Sequence, residues 1–208
     1  MLRLGVLVSG EGTNLQAIID NISNGYIPDC EIVTVVSNNS KAGALNRAEA
    51  RRIPHSHISK KQFETLVEFD DALLKHFQSY NVNLVVLAGY LSMVGEKVVN
   101  YYKNRIINIH PSLIPSFCGK GFYGIIPHQK AIEYGVKVTG ATVQFIDYEY
   151  DTGPIIIQKA VKVMQGDTPE ELQLRVMKQA EWIILPEAIK KISEDKLKIN
   201  GRSVTILD

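Results

Sequence analysis

The first half of the chain alternates between short apolar runs and segments in which apolar residues recur at helical spacing. The apolar runs cover residues 2–8, 31–36, 83–88 and 105–109. Helical spacing covers residues 15–22, 42–52, 63–80 and 95–102, and the apolar side of the third segment consists of Phe63, Leu66, Val67, Leu73, Leu74 and Phe77. Because parallel strands need crossover helices, this alternation predicts an α/β fold with a mostly parallel, doubly wound (Rossmann-like) sheet and helices on both faces.

The pattern changes in the second half. Residues 114–127 are rich in glycine and proline and form an unusually long loop, which makes them a candidate functional segment. Two β-rich runs, residues 136–146 and 154–163, and a hairpin pattern near the end of the chain predict antiparallel strands toward the C-terminal half. A late helix is predicted to begin after Thr168, an N-cap followed by proline and two acidic residues, and to end near Lys191.

Composition narrows the class of protein. The chain has 208 residues, of which 45% are hydrophobic and 22% are charged, and its formal net charge is +1. These fractions are typical of a folded globular domain, and the near-zero charge argues against a nucleic-acid partner. No apolar run approaches the roughly 20 residues needed to cross a bilayer, so no membrane partner is expected. Cys30 and Cys118 cannot form a disulfide framework, which favours a cytoplasmic setting.

A glycine-rich turn joins the first strand to the first helix. Residues 10–14 read GEGTN, and glycines at a helix N-terminus let backbone amides approach a phosphate closely. A dinucleotide site would need glycine at Leu15 and an acidic residue after the second strand, where Ser37 and Asn38 stand instead. NAD is therefore disfavoured, whereas a single phosphate and a simple tight turn remain equally open interpretations.

Asn108 and His110 form a second candidate site at the end of a predicted strand. Residues two apart in a strand lie on one face, and active sites of open α/β sheets lie at the carboxyl ends of strands. A carboxamide and an imidazole could stabilise an oxyanion, and the imidazole could also transfer a proton. The alternative is a structural histidine that caps the strand. Taken without further context, Asn108 and His110 favour this alternative.

Acidic residues follow the first of the two β-rich runs. Asp147, Glu149 and Asp151 precede a Gly-Pro pair, which is usual for solvated turn residues. Alternatively, one carboxylate lies against His110 and orients its ring. Spacing cannot decide between these alternatives, because about 40 residues separate the turn from His110. His55 and His57 share a strand face but lack a third ligand nearby, so no metal site is expected.

Three motifs together resemble a known family. Residues 9–16 read SGEGTNLQ, residues 108–115 read NIHPSLIP and residues 151–154 read DTGP. With these motifs the chain resembles the folate-dependent glycinamide ribonucleotide formyltransferases of de novo purine synthesis. The resemblance extends over nearly all 208 residues and includes VVLAGY at residues 85–90 and KGFYG at residues 120–124.

The resemblance implies transfer of a formyl group from 10-formyltetrahydrofolate, as a co-substrate, to the amine of glycinamide ribonucleotide, without a metal. Its catalytic set falls on Asn108, His110 and Asp151 in this sequence. The Asn108 amide and the His110 imidazolium would stabilise the oxyanion of a tetrahedral intermediate. Asp151 would stabilise the charged imidazole and help to relay a proton through water.

The same resemblance implies the binding residues. The ribonucleotide is expected to contact Gly12, Thr13 and Asn14 through its phosphate, together with Lys178 and Glu181. The folate is expected to contact Leu91, Ser92, Met93, Val94, Asn108, Asp147 and Asp151. We therefore expect one formyltransferase domain over residues 1–208, with a phosphate-binding half at residues 1–110 and a folate-binding half with the C-terminal helix at residues 111–208. The chain is expected to act on small molecules as a monomer or homodimer.

The sequence departs from the family pattern in three places. Gln144 stands where the family often has histidine, and Ser92 stands where it often has arginine near the folate. The segment over residues 175–186 is one residue longer than usual, which bears on Lys178 and Glu181. None of these departures falls on Asn108, His110 or Asp151.

Two other functions stay open at this point. A formyltetrahydrofolate hydrolase, or another formyltransferase of the superfamily, would share this catalytic core. Enzymes of these types carry an added regulatory domain or a basic C-terminal domain, for which 208 residues leave no room. The alternative of another class is a non-catalytic folate- or nucleotide-binding module that retains the fold, and intact Asn108, His110 and Asp151 argue against it.

Overall fold

The computed structural model describes residues 1–207, so Asp208, the last residue of the predicted domain, lies outside the described residues. The chain divides into two compact units, the first over Met1–Asn108 and the second beginning at Ile109. Among the described residues, no helix combines the length and the apolar character that a membrane crossing requires.

The first unit alternates strands and helices as the apolar pattern predicts. Its strands are β1 (Leu2–Val8), β2 (Cys30–Ser37), β3 (His55–His57), β4 (Leu84–Leu87) and β5 (Ile106–His110), within which the division between the units falls. Its helices are α1 (Thr13–Ser23), α2 (Gly43–Ala50), α3 (Leu66–Ser79) and α4 (Glu96–Tyr101), with a 3₁₀ turn at Lys60–Gln62. The strands lie in the order β3-β2-β1-β4-β5, and every neighbouring pair is parallel. The predicted parallel α/β sheet is confirmed.

The strand order brings two loops together at the edge of this sheet. The order reverses between β1 and β4, and ligands of open α/β sheets bind beyond the carboxyl ends of strands at such a switch point. The segments that follow Val8 and Leu87 therefore lie side by side, and the Leu91 N–H donates to Ser9 Oγ at 2.9 Å. The predicted phosphate loop and the predicted folate loop are thus neighbours.

The prediction of the buried side of the third helix, over residues 63–80, is partly wrong. Leu66 and Val67 are 66% and 57% exposed, although their spacing assigns them to the buried side of a helix over residues 63–80. The helix instead begins at Leu66, because the Thr65 side chain accepts the Glu68 N–H and forms a capping box. The first turn of α3 consequently faces solvent, and its buried side is made of Phe69, Asp70, Leu73 and Phe77.

The second unit contains the antiparallel strands predicted for the C-terminal half. After α5 (Ile126–Tyr134) it has β6 (Val138–Phe145) and β7 (Ile155–Lys162), and after its last helix it has β8 (Leu197–Asn200) and β9 (Ser203–Ile206). β6 pairs with β7, and β8 pairs with β9, in both cases antiparallel. The predicted antiparallel strands and terminal hairpin are confirmed.

The late helix is interrupted rather than continuous. It consists of α6 (Pro169–Val176), a π-helix (Met177–Glu181) and α7 (Trp182–Ser193). Its predicted start is confirmed, since Thr168 Oγ1 accepts the Glu171 N–H at 3.2 Å. A π-turn is the usual way in which a helix accommodates an inserted residue, and this one lies within the segment over residues 175–186 that is expected to be one residue longer than usual.

Candidate active site

The N-terminus of α1 provides a site suited to an anion. Gly12 is the N-cap in a left-handed conformation, with φ of 74°, and α1 begins at Thr13. No side chain caps this helix, and its first turn contains no acidic residue. A Cβ at Gly12 would lie 2.6 Å from Ala44 Cβ, so glycine is required both by the conformation and by the close approach of α2. The end of α1 therefore suits a phosphate.

Helix α2 supports this loop in a way the sequence did not reveal. Arg47 Nε donates to the Glu11 carbonyl at 2.7 Å, and the Ala44 N–H donates to the Gly10 carbonyl at 3.1 Å. Arg47 is 36 residues from Glu11 along the chain, so no motif marks it. Its role is to hold the backbone that precedes the anion site.

The segment between β4 and α4 carries four of the predicted folate residues. The side chains of Leu91 and Met93 are exposed, whereas Val94 is buried. Ser92 Oγ accepts a hydrogen bond from Asn38 Nδ2 at 2.7 Å, so this serine, at a position where arginine is expected, binds a neighbouring loop of the protein. Two exposed apolar side chains beyond the carboxyl end of a strand suit a flat ring.

Asn108 lies at the same edge of the sheet. It pairs in register with Leu87, the last residue of β4. Because side chains alternate along a strand, Asn108 and His110 project from one face of β5. The carboxamide is therefore presented beside the strand end that carries the histidine.

His110 is buried and faces an acceptor at each ring nitrogen. Its Nε2 lies 3.0 Å from the Phe117 carbonyl, and its Nδ1 lies 3.6 Å from Asp151 Oδ2. The side chains of His110 and Asp151 are only 6% and 10% exposed. An imidazolium has one donor for each of these acceptors, so this environment accommodates a charged ring.

The structure distinguishes between the acids of the turn before β7. Asp151 is the one that faces His110, and its Oδ2 also accepts the Gly119 N–H at 2.8 Å. Asp147 Oδ1 instead accepts the Thr152 hydroxyl at 2.5 Å and the Glu149 N–H at 3.2 Å. Asp147 therefore organises the turn, and Asp151 provides the carboxylate of the candidate site.

Gln144, which the sequence marked only as a departure from the family pattern, contacts this carboxylate directly. Its Nε2 donates to Asp151 Oδ1 at 3.0 Å. Asp151 is thus bound by a donor at each oxygen, and it is held in the positive-φ region, with φ of 55°. The backbone donor Gly119 carries no signal in the sequence, because every residue except proline supplies an N–H.

The loop after His110 is tied to β6 and β7. Thr142 Oγ1 donates to the Ser112 carbonyl at 2.7 Å and accepts the Ile114 N–H at 3.1 Å. Gln158 Nε2 donates to the Ile114 carbonyl at 2.9 Å. These bonds hold the segment that leads to Phe117, whose carbonyl faces the ring of His110.

Two other titratable groups of the second unit stay uncharged near neutral pH. Burial and the proximity of His110 lower the pKa of His128 to about 4, and both of its ring nitrogens are buried without a partner among the described residues. Burial and the nearby Asp151 raise the pKa of the Cys118 thiol, so this cysteine lacks the thiolate character of a nucleophile.

The remaining predicted residues lie in the π-helix. Lys178 is exposed and Glu181 is buried, so the two side chains lie in different environments although both are assigned to the same ligand. Within residues 1–207, no group of three or more histidine, cysteine, aspartate or glutamate side chains is arranged to hold a metal ion.

Comparisons of the sequence and of the structure with known proteins both find formyltransferases. A family model described as formyl transferase matches residues 2–189. Phosphoribosylglycinamide formyltransferase of Haemophilus influenzae is 40% identical over 199 residues, which are 96% of this chain and 91% of that protein. The crystal structure of glycinamide ribonucleotide transformylase 1 from Symbiobacterium toebii is 44% identical, with a TM-score of 0.94 over 100% of this chain and 95% of that one.

A more distant similarity concerns another activity. The structure of a formyltetrahydrofolate deformylase from Pseudomonas syringae is 26% identical, with a TM-score of 0.88. The match covers all of this chain but 66% of that one. Proteins named as transformylases and a protein named as a deformylase therefore share this fold. The identity of this chain to the transformylase is the higher of the two.

Proposed function

The chain belongs to the formyl transferase family, and from this premise we propose that it transfers the formyl group of 10-formyltetrahydrofolate to the amine of glycinamide ribonucleotide in de novo purine synthesis. The observation that carries this proposal is the buried pair in which Asp151 Oδ2 lies 3.6 Å from His110 Nδ1. His110 lies two residues after Asn108 on β5, and the three side chains provide oxyanion donors and a proton carrier for acyl transfer.

In the proposed reaction the ribonucleotide amine forms a bond to the formyl carbon, and the bond from that carbon to the folate nitrogen breaks. The Asn108 amide donates to the formyl oxygen as it becomes negative. His110 donates to the same oxygen by exchanging its Nε2 bond with the Phe117 carbonyl for one with the substrate. Asp151 balances the charge of the imidazolium, and the proton lost by the amine is passed to the departing folate nitrogen.

The binding residues follow from the same proposal. The phosphate binds at the N-terminus of α1, at Gly12, Thr13 and Asn14, and Lys178 and Glu181 contact the rest of the ribonucleotide. The exposed side chains of Leu91 and Met93 cover one side of the pterin ring. Because backbone amides provide the phosphate site, the chain needs no basic surface to bind its substrate.

Replacing Gly12 by alanine is expected to raise the KM for the ribonucleotide about tenfold, because the added Cβ would lie 2.6 Å from Ala44 Cβ and the helix N-terminus must shift. Steady-state kinetics with each substrate varied in turn measures this effect, and the KM for the folate should change much less. Gly25→Ala is a matched control, since Gly25 also has a positive φ but has open space at its Cβ. An unchanged ribonucleotide KM in Gly12→Ala would contradict the phosphate assignment.

The proposed activity is tested against the deformylase with one assay. The protein is mixed with 10-formyltetrahydrofolate, with and without glycinamide ribonucleotide, and release of deformylated folate is followed by absorbance. Turnover that depends on the ribonucleotide supports the proposal. Equal turnover without the ribonucleotide would identify a hydrolase, and absence of turnover under both conditions would favour a non-catalytic binding module.

We also propose that the enzyme acts on small molecules alone, as a monomer or homodimer in the cytoplasm. Two features support this setting: the near-zero net charge and the free thiols Cys30 and Cys118. Sedimentation of the purified protein distinguishes monomer from dimer.

A further inference from the structure

Gln144 lies at the carboxyl end of β6, with its side chain directed at the candidate catalytic carboxylate. The residue is completely buried. Its Nε2 donates to Asp151 Oδ1 at 3.0 Å, while the Gly119 N–H donates to Oδ2 at 2.8 Å. Because an ionised carboxylate only accepts hydrogen bonds, the amide must present its NH₂ group to Asp151. With one donor on each oxygen, the carboxylate plane is fixed and Oδ2 is turned toward His110.

The backbone around Gln144 is irregular at this point. The pairing of β6 with β7 shifts between Val143 and Gln144, so that Val143 pairs with Ile157 and Gln144 pairs with Ile155. A bulge of this kind changes the direction of the neighbouring side chains and is common beside active sites. The extra residue of this bulge is Ile156 on β7, so β7 is the strand that bends beside Gln144.

The orientation of the amide leaves its other end unsatisfied. Gln144 Oε1 is buried and accepts no hydrogen bond from any described residue. A buried acceptor without a partner is unfavourable, whereas a hydrogen bond to an ionised group is strong. The bond to Asp151 is thus the interaction that explains a fully buried glutamine at this position.

We propose that Gln144 is a positioning residue of the formyl-transfer site, a neutral donor that holds the Asp151 carboxylate in the orientation in which it faces His110. The importance of this positioning for catalysis rests on the proposed function. Gln144 acts only through Asp151. A glutamine keeps its donor at every pH, so it adds no further titrating group to the pair of Asp151 and His110.

The other titratable groups around Asp151 do not take over this role. His110 on β5 faces Oδ2, and His128 on α5 is kept neutral because burial and His110 lower its pKa to about 4. The nearby Cys118 remains a thiol, since burial and Asp151 raise its pKa. Asp147, in the same turn, is bonded to the Thr152 hydroxyl. A carboxyl group introduced at position 144 would therefore lie against the Asp151 carboxylate in a buried site, with His110 facing the other oxygen of Asp151.

Gln144→Glu converts the neutral donor into a titrating group and gives a signature that a merely structural role would not produce. At low pH the introduced carboxyl is protonated and donates to Asp151, so kcat should remain within a few-fold of the wild type. As the pH rises, two adjacent carboxylates repel each other, and kcat should fall by about 100-fold relative to the wild type by about pH 8. Gln144→Met, which lacks the donor, should lose activity to a similar extent at all pH values.

Gln78→Glu is the matched control. Gln78 is an exposed glutamine of α3, outside the unit that contains Asp151. The same chemical change at that position should not produce the additional pH-dependent loss of kcat. A Gln144→Glu profile parallel to that of the wild type from low to high pH would overturn the proposal.

A second measurement does not depend on activity. The Gly119 amide is bonded to Asp151 Oδ2, so its hydrogen exchange in the unliganded protein reports how firmly the carboxylate is held. Exchange at Gly119 should be about tenfold faster in Gln144→Met than in the wild type and unchanged in Gln78→Glu. Faster exchange in a protein without formyl-transfer activity would refute the proposed function but support the positioning role. Unchanged exchange would refute the positioning role even in an active enzyme.

Discussion

Replacing His110 by asparagine is expected to lower kcat/KM for formyl transfer by about 10³-fold, the range lost when an oxyanion donor and a proton carrier are removed together. Asparagine can donate a hydrogen bond but cannot carry a positive charge or transfer a proton. It is smaller than histidine and fits the buried position, so the protein should remain folded. The measurement is steady-state kinetics with both substrates, accompanied by thermal unfolding of the variant.

His55→Asn provides the control for this experiment. His55 is an exposed histidine whose Nδ1 lies 3.0 Å from the Ile53 carbonyl, so its replacement should leave kcat/KM unchanged. If His110→Asn keeps activity within tenfold of the wild type, His110 is not the proton carrier of the reaction.

Replacing Gly153 by alanine is expected to lower the free energy of unfolding by about 3 kcal/mol and kcat by about 100-fold. A Cβ at Gly153 would lie 1.9 Å from the Phe145 carbonyl oxygen, at the end of β6. That contact is with backbone, and Phe145 is held by its N–H bond to the Pro154 carbonyl at 2.9 Å, so the turn must move instead. Asp151 is two residues away and would be displaced from His110.

Denaturant unfolding and steady-state kinetics measure the two effects of Gly153→Ala. Gly166→Ala is the comparison, because Gly166 has a positive φ of 85° but open space at its Cβ. It should cost about 1 kcal/mol through backbone strain and leave kcat unchanged. Equal losses in the two variants would show that the close approach to Phe145 is not what positions the turn.

The elements that the sequence predicted well are those with strong local signals. Continuous apolar runs marked β1 and β4 because these strands are buried among their neighbours, and such burial leaves no polar face. Thr168 marked the start of α6 because an N-cap acts on amides within three residues. By contrast, Leu66 and Val67 were assigned to a buried side, although Thr65 caps the helix and leaves their turn in solvent.

The residues of the candidate site were predicted unevenly, because a sequence pattern relates only residues that are close together in the chain. Asn108 and His110 could be placed on one face because they belong to a single strand, and strand geometry has a fixed period. The pairing of Asp151 with His110 could only be hypothesised, because the two residues are 41 positions apart and the competing assignment to a solvated turn fitted the same residues. The structure places Asp151 at His110 and Asp147 in the turn.

The sequence by itself determined the alternation of strands and helices, the glycine at the start of α1 and the family motifs, because each of these depends on residues close together in the chain. Only the tertiary structure decided which carboxylate faces His110, that Gln144 and Gly119 donate to it, and that a π-turn interrupts the late helix before α7. These are interactions between residues far apart in sequence, or backbone adjustments that no side chain marks. Their energies depend on distance in space, which a one-dimensional pattern does not contain.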